Sequence, residues 1–184
     1  FFRLAGVSRW QKCAGWSLSL VSYFFADQIH VATMADKALV RRKFRVQPEK
    51  IKVWPNWVDT SEFSPPSISD EGRNGVLFVG RLSDQKNLFL LLDAIAGTGQ
   101  LLTVVGDGEC ATAIQERART LNVYVEFRGS IANNLLPALY RRCAVYVICS
   151  HYEGHPKTLL EAMACGCAVV GTDVPGIREI VAHE

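Results

Sequence analysis

The stretch from Ser150 to Gly166 (SHYEGHPKTLLEAMACG) holds two carboxylates, Glu153 and Glu161, with Gly154, His155, Pro156, Lys157 and Thr158 close between them. An apolar run, Ala144 to Cys149, comes before it and reads as a buried strand. The pattern predicts a loop and then a helix over 157–164, ended by Gly166. Pro156 suits the first helical position, where a missing N–H costs nothing. The free N–H groups of that first turn attract phosphate. Two carboxylates beside such a cradle can grip sugar hydroxyls. A plain strand–loop–helix unit with surface acids satisfies the same spacing.

A second candidate is Gly80-Arg81-Leu82-Ser83-Asp84-Gln85-Lys86, after the apolar run at 75–79. Gly80 permits close backbone approach. Arg81 offers a two-pronged fork to phosphate and Lys86 a point charge. Each hydrogen bond to a charged group contributes about 1.5–3 kcal/mol. Two of them with a helix N-terminus would hold a diphosphate; the alternative is a solvated loop with two cations. A third candidate, Gly106-Asp107-Gly108-Glu109-Cys110-Ala111, matches the dinucleotide fingerprint, with Glu126 further on. It opens the second strand–helix unit rather than the first, and Glu126 precedes its strand end, so the NAD reading is the weaker one. His155 sits in the cradle loop, whereas His30, His151 and His183 read as structural or exposed.

These loops must be held by a regular frame. The pattern from Gly75 onward alternates: strands over 75–79, 101–105, 123–127, 144–149 and 168–171, and helices over 87–96, 109–121, 133–142, 157–164 and 177–182. Such repeated strand–helix units predict a parallel sheet covered on both faces. Ligands then bind outside the carboxyl ends of the strands. Upstream, 27–33 and 50–54 read as strands and 34–44 as a helix ending in Arg41-Arg42-Lys43. That basic end fits a solvated helix terminus or a contact with acidic lipid. The uncharged part of the first 26 residues, 13–26, falls short of the roughly 20 that a membrane span needs and reads as a helix packed on a sheet. Residues 64–74 (SPPSISDEGRN) read as a linker, dividing a front piece, 1–63, from a back piece, 75–184.

An apolar fraction of 49% allows a sizeable core, and a net charge of +2 does not mark a nucleic-acid binder. The six cysteines contain no Cys-x-x-Cys pair and read as buried thiols in a reducing compartment. Cys165-Gly166-Cys167 is the one candidate metal motif, without a second pair at ligand spacing.

Five motifs stand in register: Gly80-Arg81-Leu82 with Lys86; Val105-Gly106-Asp107-Gly108; Phe127-Arg128-Gly129; Glu153 through Gly166; and Gly171-Thr172-Asp173-Val174-Pro175-Gly176-Ile177-Arg178-Glu179. Together they resemble the donor-binding domain of the group 1 (family 4) retaining glycosyltransferases of GT-B fold. The resemblance covers 75–184, and 27–63, including the turn Pro55-Asn56-Trp57-Val58-Asp59, resembles the tail of that family's acceptor domain. It implies an α/β chain: a nearly whole C-terminal Rossmann-like domain and a remnant of the N-terminal one.

The resemblance also implies roles. Arg81 and Lys86 hold the donor diphosphate. Glu153 contacts the donor sugar and counts as catalytic. Glu161 binds the ribose. Gly154, His155, Pro156, Lys157, Thr158 and Leu159 meet sugar and phosphate, and Gly129, Ser130 and Ile131 lie by the base. A hexose would pass with retention from a UDP- or GDP-linked donor to a lipid-linked or saccharide acceptor, in polysaccharide or glycolipid synthesis. No cofactor or metal is expected, since cations already face the leaving group and no Asp-x-Asp pair stands by. A cytoplasmic location, with peripheral contact at the inner membrane face, goes with that reading. Pro175 departs from the glycine usual at its place. Both ends look cut, so weak nucleotide binding and little transfer are expected of the chain as it stands. Two other classes remain open: a non-catalytic nucleotide-sugar-binding subunit, and a GT-B enzyme of other chemistry such as an epimerase or phosphorylase.

Overall fold

The computed structural model describes residues 21–66 and 72–181. The expectations for residues 1–20, with Cys13, for the middle of the 64–74 stretch, for Ala182 and for His183 lie outside them. Contacts divide the chain into two compact units, Phe1–Pro55 and Asn56–Glu184. Pro65 and Arg73, near the two ends of the 64–74 stretch, both pack on Gly166. Arg141 reaches back to the carbonyls of Glu62 and Ser64.

In the first unit, β1 (Ile29–Val31) pairs in parallel with β2 (Ile51–Val53), with α1 (Met34–Phe44) as the crossover. The Thr33 hydroxyl caps α1, accepting from the Asp36 N–H at 2.9 Å. Arg41, Arg42 and Lys43 sit in the last turn, where the negative end of the helix dipole favours cations. No helix among the described residues is long and apolar enough to cross a membrane.

In the second unit the strands are β3 (Val76–Val79), β4 (Leu102–Val105), β5 (Val125–Phe127), β6 (Val145–Ile148) and β7 (Ala168–Gly171). All are parallel, in the order β5-β4-β3-β6-β7. The helices are α2 (Leu88–Ile95), α3 (Ala111–Thr120), α4 (Leu136–Arg142), α5 (Lys157–Ala164) and α6 (Pro175–Arg178). Side chains of a strand alternate between faces, and β3 shows it. Leu77 and Val79 enter one core with Tyr140, Tyr146, Leu159 and Ile177; Phe78 enters the other with Leu88, Leu92, Val104 and Ile114. So α2 and α3 cover one face and α4, α5 and α6 the other, as expected of a parallel sheet buried on both sides.

Most element bounds fall within two residues of the expected ones; local departures occur at the start of α4, at the cap of α5 and in α6. Residues 133–135 form a 3-10 turn ahead of α4. Pro156 is the N-cap of α5, one position before the first helical residue expected for it. The last helix runs from Pro175 to Arg178 rather than over 177–182: Pro fits a first turn, Gly176 packs tightly there, and residues 179–181 are no longer helical. A Cβ on Gly176 would lie 2.0 Å from the Gly154 carbonyl oxygen.

The glycines after β4 answer to packing. Gly106 has φ +129°, and a Cβ on it would lie 1.9 Å from the Gly80 carbonyl oxygen. We expect Gly106→Ala to cost roughly 2 kcal/mol or more in a urea melt. Gly154→Ala, with nothing within 4 Å of the added carbon, should leave the midpoint nearly unchanged.

Candidate functional site

The winding of the sheet reverses at β3, which is flanked by β4 on one side and β6 on the other. Ligand crevices of open α/β sheets form at such a switch point, outside the strand carboxyl ends. The loops that part there, after β3 and after β6, contain Arg81 and Lys86, and Glu153 through Lys157.

Those two loops are stitched together. Lys86 ends a 3-10 turn, Asp84–Lys86, closed by Asn87 in the left-handed region. The Lys86 ammonium meets Glu153 Oε1 at 2.5 Å, and the Ser150 hydroxyl donates to the same oxygen at 2.6 Å. The side chains are 20% and 8% exposed, so the pair is largely withdrawn from water. Backbone and side-chain bonds fix the frame: His151 N–H to the Gln85 carbonyl, Gln85 Nε2 to the Tyr152 carbonyl, and Thr172 Oγ1 to the Ser150 carbonyl. One ammonium N–H is committed to Glu153, and two remain for a ligand.

A cavity of about 690 Å³ is lined by Gly80, Arg81, Gly106, Asp107, Gly108, Glu109 and Ser130. Arg81 is exposed on its rim and makes no ion pair among the described residues. The fingerprint glycines face the neighbouring loop: a Cβ on Gly108 would lie 2.5 Å from the Leu82 carbonyl oxygen. Leu82 N–H donates to the Asp107 carbonyl, and Cys110 N–H to the Leu82 carbonyl. Close backbone packing therefore accounts for both glycines of the fingerprint.

The α5 side chains are held from below. Glu161 is 4% exposed and accepts from the Tyr140 hydroxyl at Oε2, 3.1 Å. Burial pushes its carboxyl above the ordinary range, opposed by the Tyr140 hydrogen bond and by Lys157. The Tyr146 hydroxyl donates to Thr158 Oγ1 at 2.7 Å, which leaves the threonine O–H free to donate outward. Leu159 is fully buried, so it can offer a ligand only backbone, and Ile131 is half-buried against the same core. The His155 carbonyl accepts from Asn56 Nδ2, and His155 Nδ1 is enclosed without a hydrogen-bond partner among the described residues. Lys157 lies over the exposed Trp57 ring, 6.0 Å from its centroid. Gly154 stands open.

Among the described residues no group of three or more His, Cys, Asp or Glu side chains is placed to hold a metal ion. The Cys165 and Cys167 sulfurs are buried, and Cys167 faces Cys143 at 2.9 Å. Burial pushes the Cys149 thiol up to about 11.

The structure therefore brings Arg81, Lys86, Glu153, Ser130 and the start of α5 to one end of the sheet. Sequence reasoning did not single out Ser150, Asn56, Tyr140 or Tyr146. Ser150 and Asn56 stood in motifs already noted; nothing marked the two tyrosines.

Residues 59–184 match the family profile described as glycosyl transferases group 1, and the chain belongs to that family. One relative is a Campylobacter jejuni GalNAc-alpha-(1->4)-GalNAc-alpha-(1->3)-diNAcBac-PP-undecaprenol alpha-1,4-N-acetyl-D-galactosaminyltransferase. It is 32% identical over 171 residues, 89% of this chain and 46% of the relative. Another is the Escherichia coli UDP-Gal:alpha-D-GlcNAc-diphosphoundecaprenol alpha-1,3-galactosyltransferase, 28% identical over 167 residues, 81% of this chain and 43% of the relative. Among solved structures, Anabaena Alr3699/HepE in complex with UDP and glucose superposes with a TM-score of 0.80 at 23% identity, over 92% of this chain and 51% of that one. The fold is the Rossmann-like one of GT-B glycosyltransferases. The chain spans about half the length of these relatives.

Two outcomes are expected from stability measurements. Removing one partner from a withdrawn ion pair strands the other, so Lys86→Met should cost about 2 kcal/mol, and adding Glu153→Gln should return part of it in urea melts. The folded-state pKa of Glu161 lies above its ordinary 4.5, so its contribution to stability is present below that value and is lost as pH rises through the folded one. Glu161→Gln should therefore melt higher than the wild type at neutral pH, and the gap should close below pH 4.5.

Proposed function

We propose that this chain is the donor-binding part of a retaining glycosyltransferase. In this reading the enzyme moves a hexose from a UDP- or GDP-linked sugar to a lipid-linked or saccharide acceptor, in cell-surface polysaccharide or glycolipid synthesis. The observation that carries it is the Lys86–Glu153 pair at the switch point, which ties the loop holding Arg81 to the loop that leads into α5. Arg81, the free Lys86 donors and the first N–H groups of α5 face one diphosphate. They are fixed where negative charge grows as the bond between the anomeric carbon and the diphosphate breaks, so they act mainly on the transition state. The acceptor oxygen bonds to that carbon on the face the diphosphate leaves, and its proton passes to the departing phosphate oxygen. Glu153 meets the sugar, Glu161 the ribose, and Ser130 with the Gly129 and Ile131 backbone the base. Positive charge from Arg81 and Lys86 makes a metal unnecessary in this reading.

The relatives from Campylobacter jejuni and Escherichia coli bear names with undecaprenol-linked acceptors, which supports a lipid-linked acceptor here. Work at the cytoplasmic face of a membrane goes with that, and the basic end of α1 supports a peripheral contact.

Titration of the chain with UDP, GDP and NAD tests the donor site. One nucleoside diphosphate should bind selectively, and Arg81→Ala should weaken it about tenfold, the loss of one charged hydrogen bond. Tight NAD binding indifferent to Arg81→Ala overturns the reading. For the full-length enzyme, a product of inverted anomeric configuration would remove the retaining course.

A further inference from the structure

Glu161 is an expensive residue where it stands. It is 4% exposed, and Tyr140, Leu159, Ala162 and Cys165 around it are fully buried. Burying a carboxylate costs free energy unless it is paired, and an apolar side chain of like size would pack there without that cost. An acceptor-only group at this position makes sense when something outside needs acceptors. Among the described residues one side-chain hydrogen bond reaches its carboxylate, from Tyr140 to Oε2.

Tyr140 has little freedom to do anything else. Its ring meets Tyr146 edge-on at 5.7 Å and Phe63 at 6.2 Å. The next residue, Arg141, anchors α4 through the carbonyls of Glu62 and Ser64. The hydroxyl is therefore held at one point, and burial keeps it protonated, a donor across the working pH range.

We propose that Tyr140 is a positioning residue for the nucleotide site: by occupying Oε2 it turns the Glu161 carboxylate so that Oε1 accepts from the vicinal hydroxyls of a ribose. This rests on the donor-site reading above. The other charged or titratable groups facing Glu161 are Lys157 from the first turn of α5, Tyr146 from β6 and Cys165 from the end of α5. Lys157 and Tyr140 favour the carboxylate, and burial opposes it. Loss of the Tyr140 hydroxyl removes one of the two favouring groups, so ionisation and ribose binding should both move to higher pH.

The test uses Tyr140→Phe, which keeps the ring and its packing. Three readouts are taken on the folded chain: the Glu161 carboxyl titration by carbon NMR, binding of the selected nucleoside diphosphate from pH 5 to 8, and binding of its 2′,3′-dideoxy analogue. The variant should raise the Glu161 midpoint, weaken the ribonucleotide about three- to tenfold at pH 7, and shift its binding profile upward by the same amount as the midpoint. Binding of the dideoxy analogue should be equal in both proteins. Equal losses for the two nucleotides, or an unmoved Glu161 midpoint, overturn the inference alone. A wild-type chain that binds neither nucleotide overturns the donor-site reading, and the ribose role with it.

Discussion

The ion pair between Lys86 and Glu153 spans the one place in the second unit where successive strands are added to opposite sides of β3. Two loops that leave a parallel sheet at such a point have no strand partner between them. Something other than the ladder must hold them in register. Here the hydrogen bonds among Gln85, Lys86, Ser150, His151, Tyr152 and Glu153 do so. The same bonds orient the charges a ligand would meet, so loop stability and ligand geometry are one problem. The glycines at 106 and 108 belong to it too, since they let the loop after β4 lie flat against the loop after β3.

Below the mouth, polar groups sit where apolar ones would pack more cheaply. Glu161, Tyr140, Tyr146 and Thr158 form two hydrogen-bonded pairs inside an aromatic and aliphatic core. Each pair leaves one group able to serve a ligand: an acceptor on Glu161 and a donor on Thr158. A site of this kind trades fold stability for fixed orientation. The edge-to-face packing of the two tyrosines keeps that orientation from relaxing.

Much of the frame was legible from periodicity. The bounds of α5 and β7 agree with the expected 157–164 and 168–171, because an apolar helical stripe and a short apolar run stand between clear punctuation at Pro156, Gly166 and Gly171. The departures have local causes. Pro175 and Gly176 read as a loop, yet the carbonyls of Glu153 and Gly154 leave room only for glycine at 176, and the chain turns into a helix there. Pro156 reads as the first helical residue but caps from one position outside. For the candidate site, motif and order singled out Arg81, Lys86, Glu153 and Glu161. Their partners were not: Lys86 and Glu153 lie 67 positions apart, and Tyr140 and Glu161 lie 21 apart.

By itself the sequence determined the alternation of strands and helices, the parallel sheet buried on both faces and the residue types able to hold a diphosphate and a sugar. These follow from local periodicity, turn chemistry and charge, all of which are written along the chain. Only the tertiary structure decided that Lys86 faces Glu153, that Tyr140 bonds to Glu161, and that the backbone at Gly80 and Leu82 packs against Gly106 and Gly108. Those are contacts between distant positions. They depend on strand order, and a chain of strand–helix units does not state which side of β3 each new strand will join.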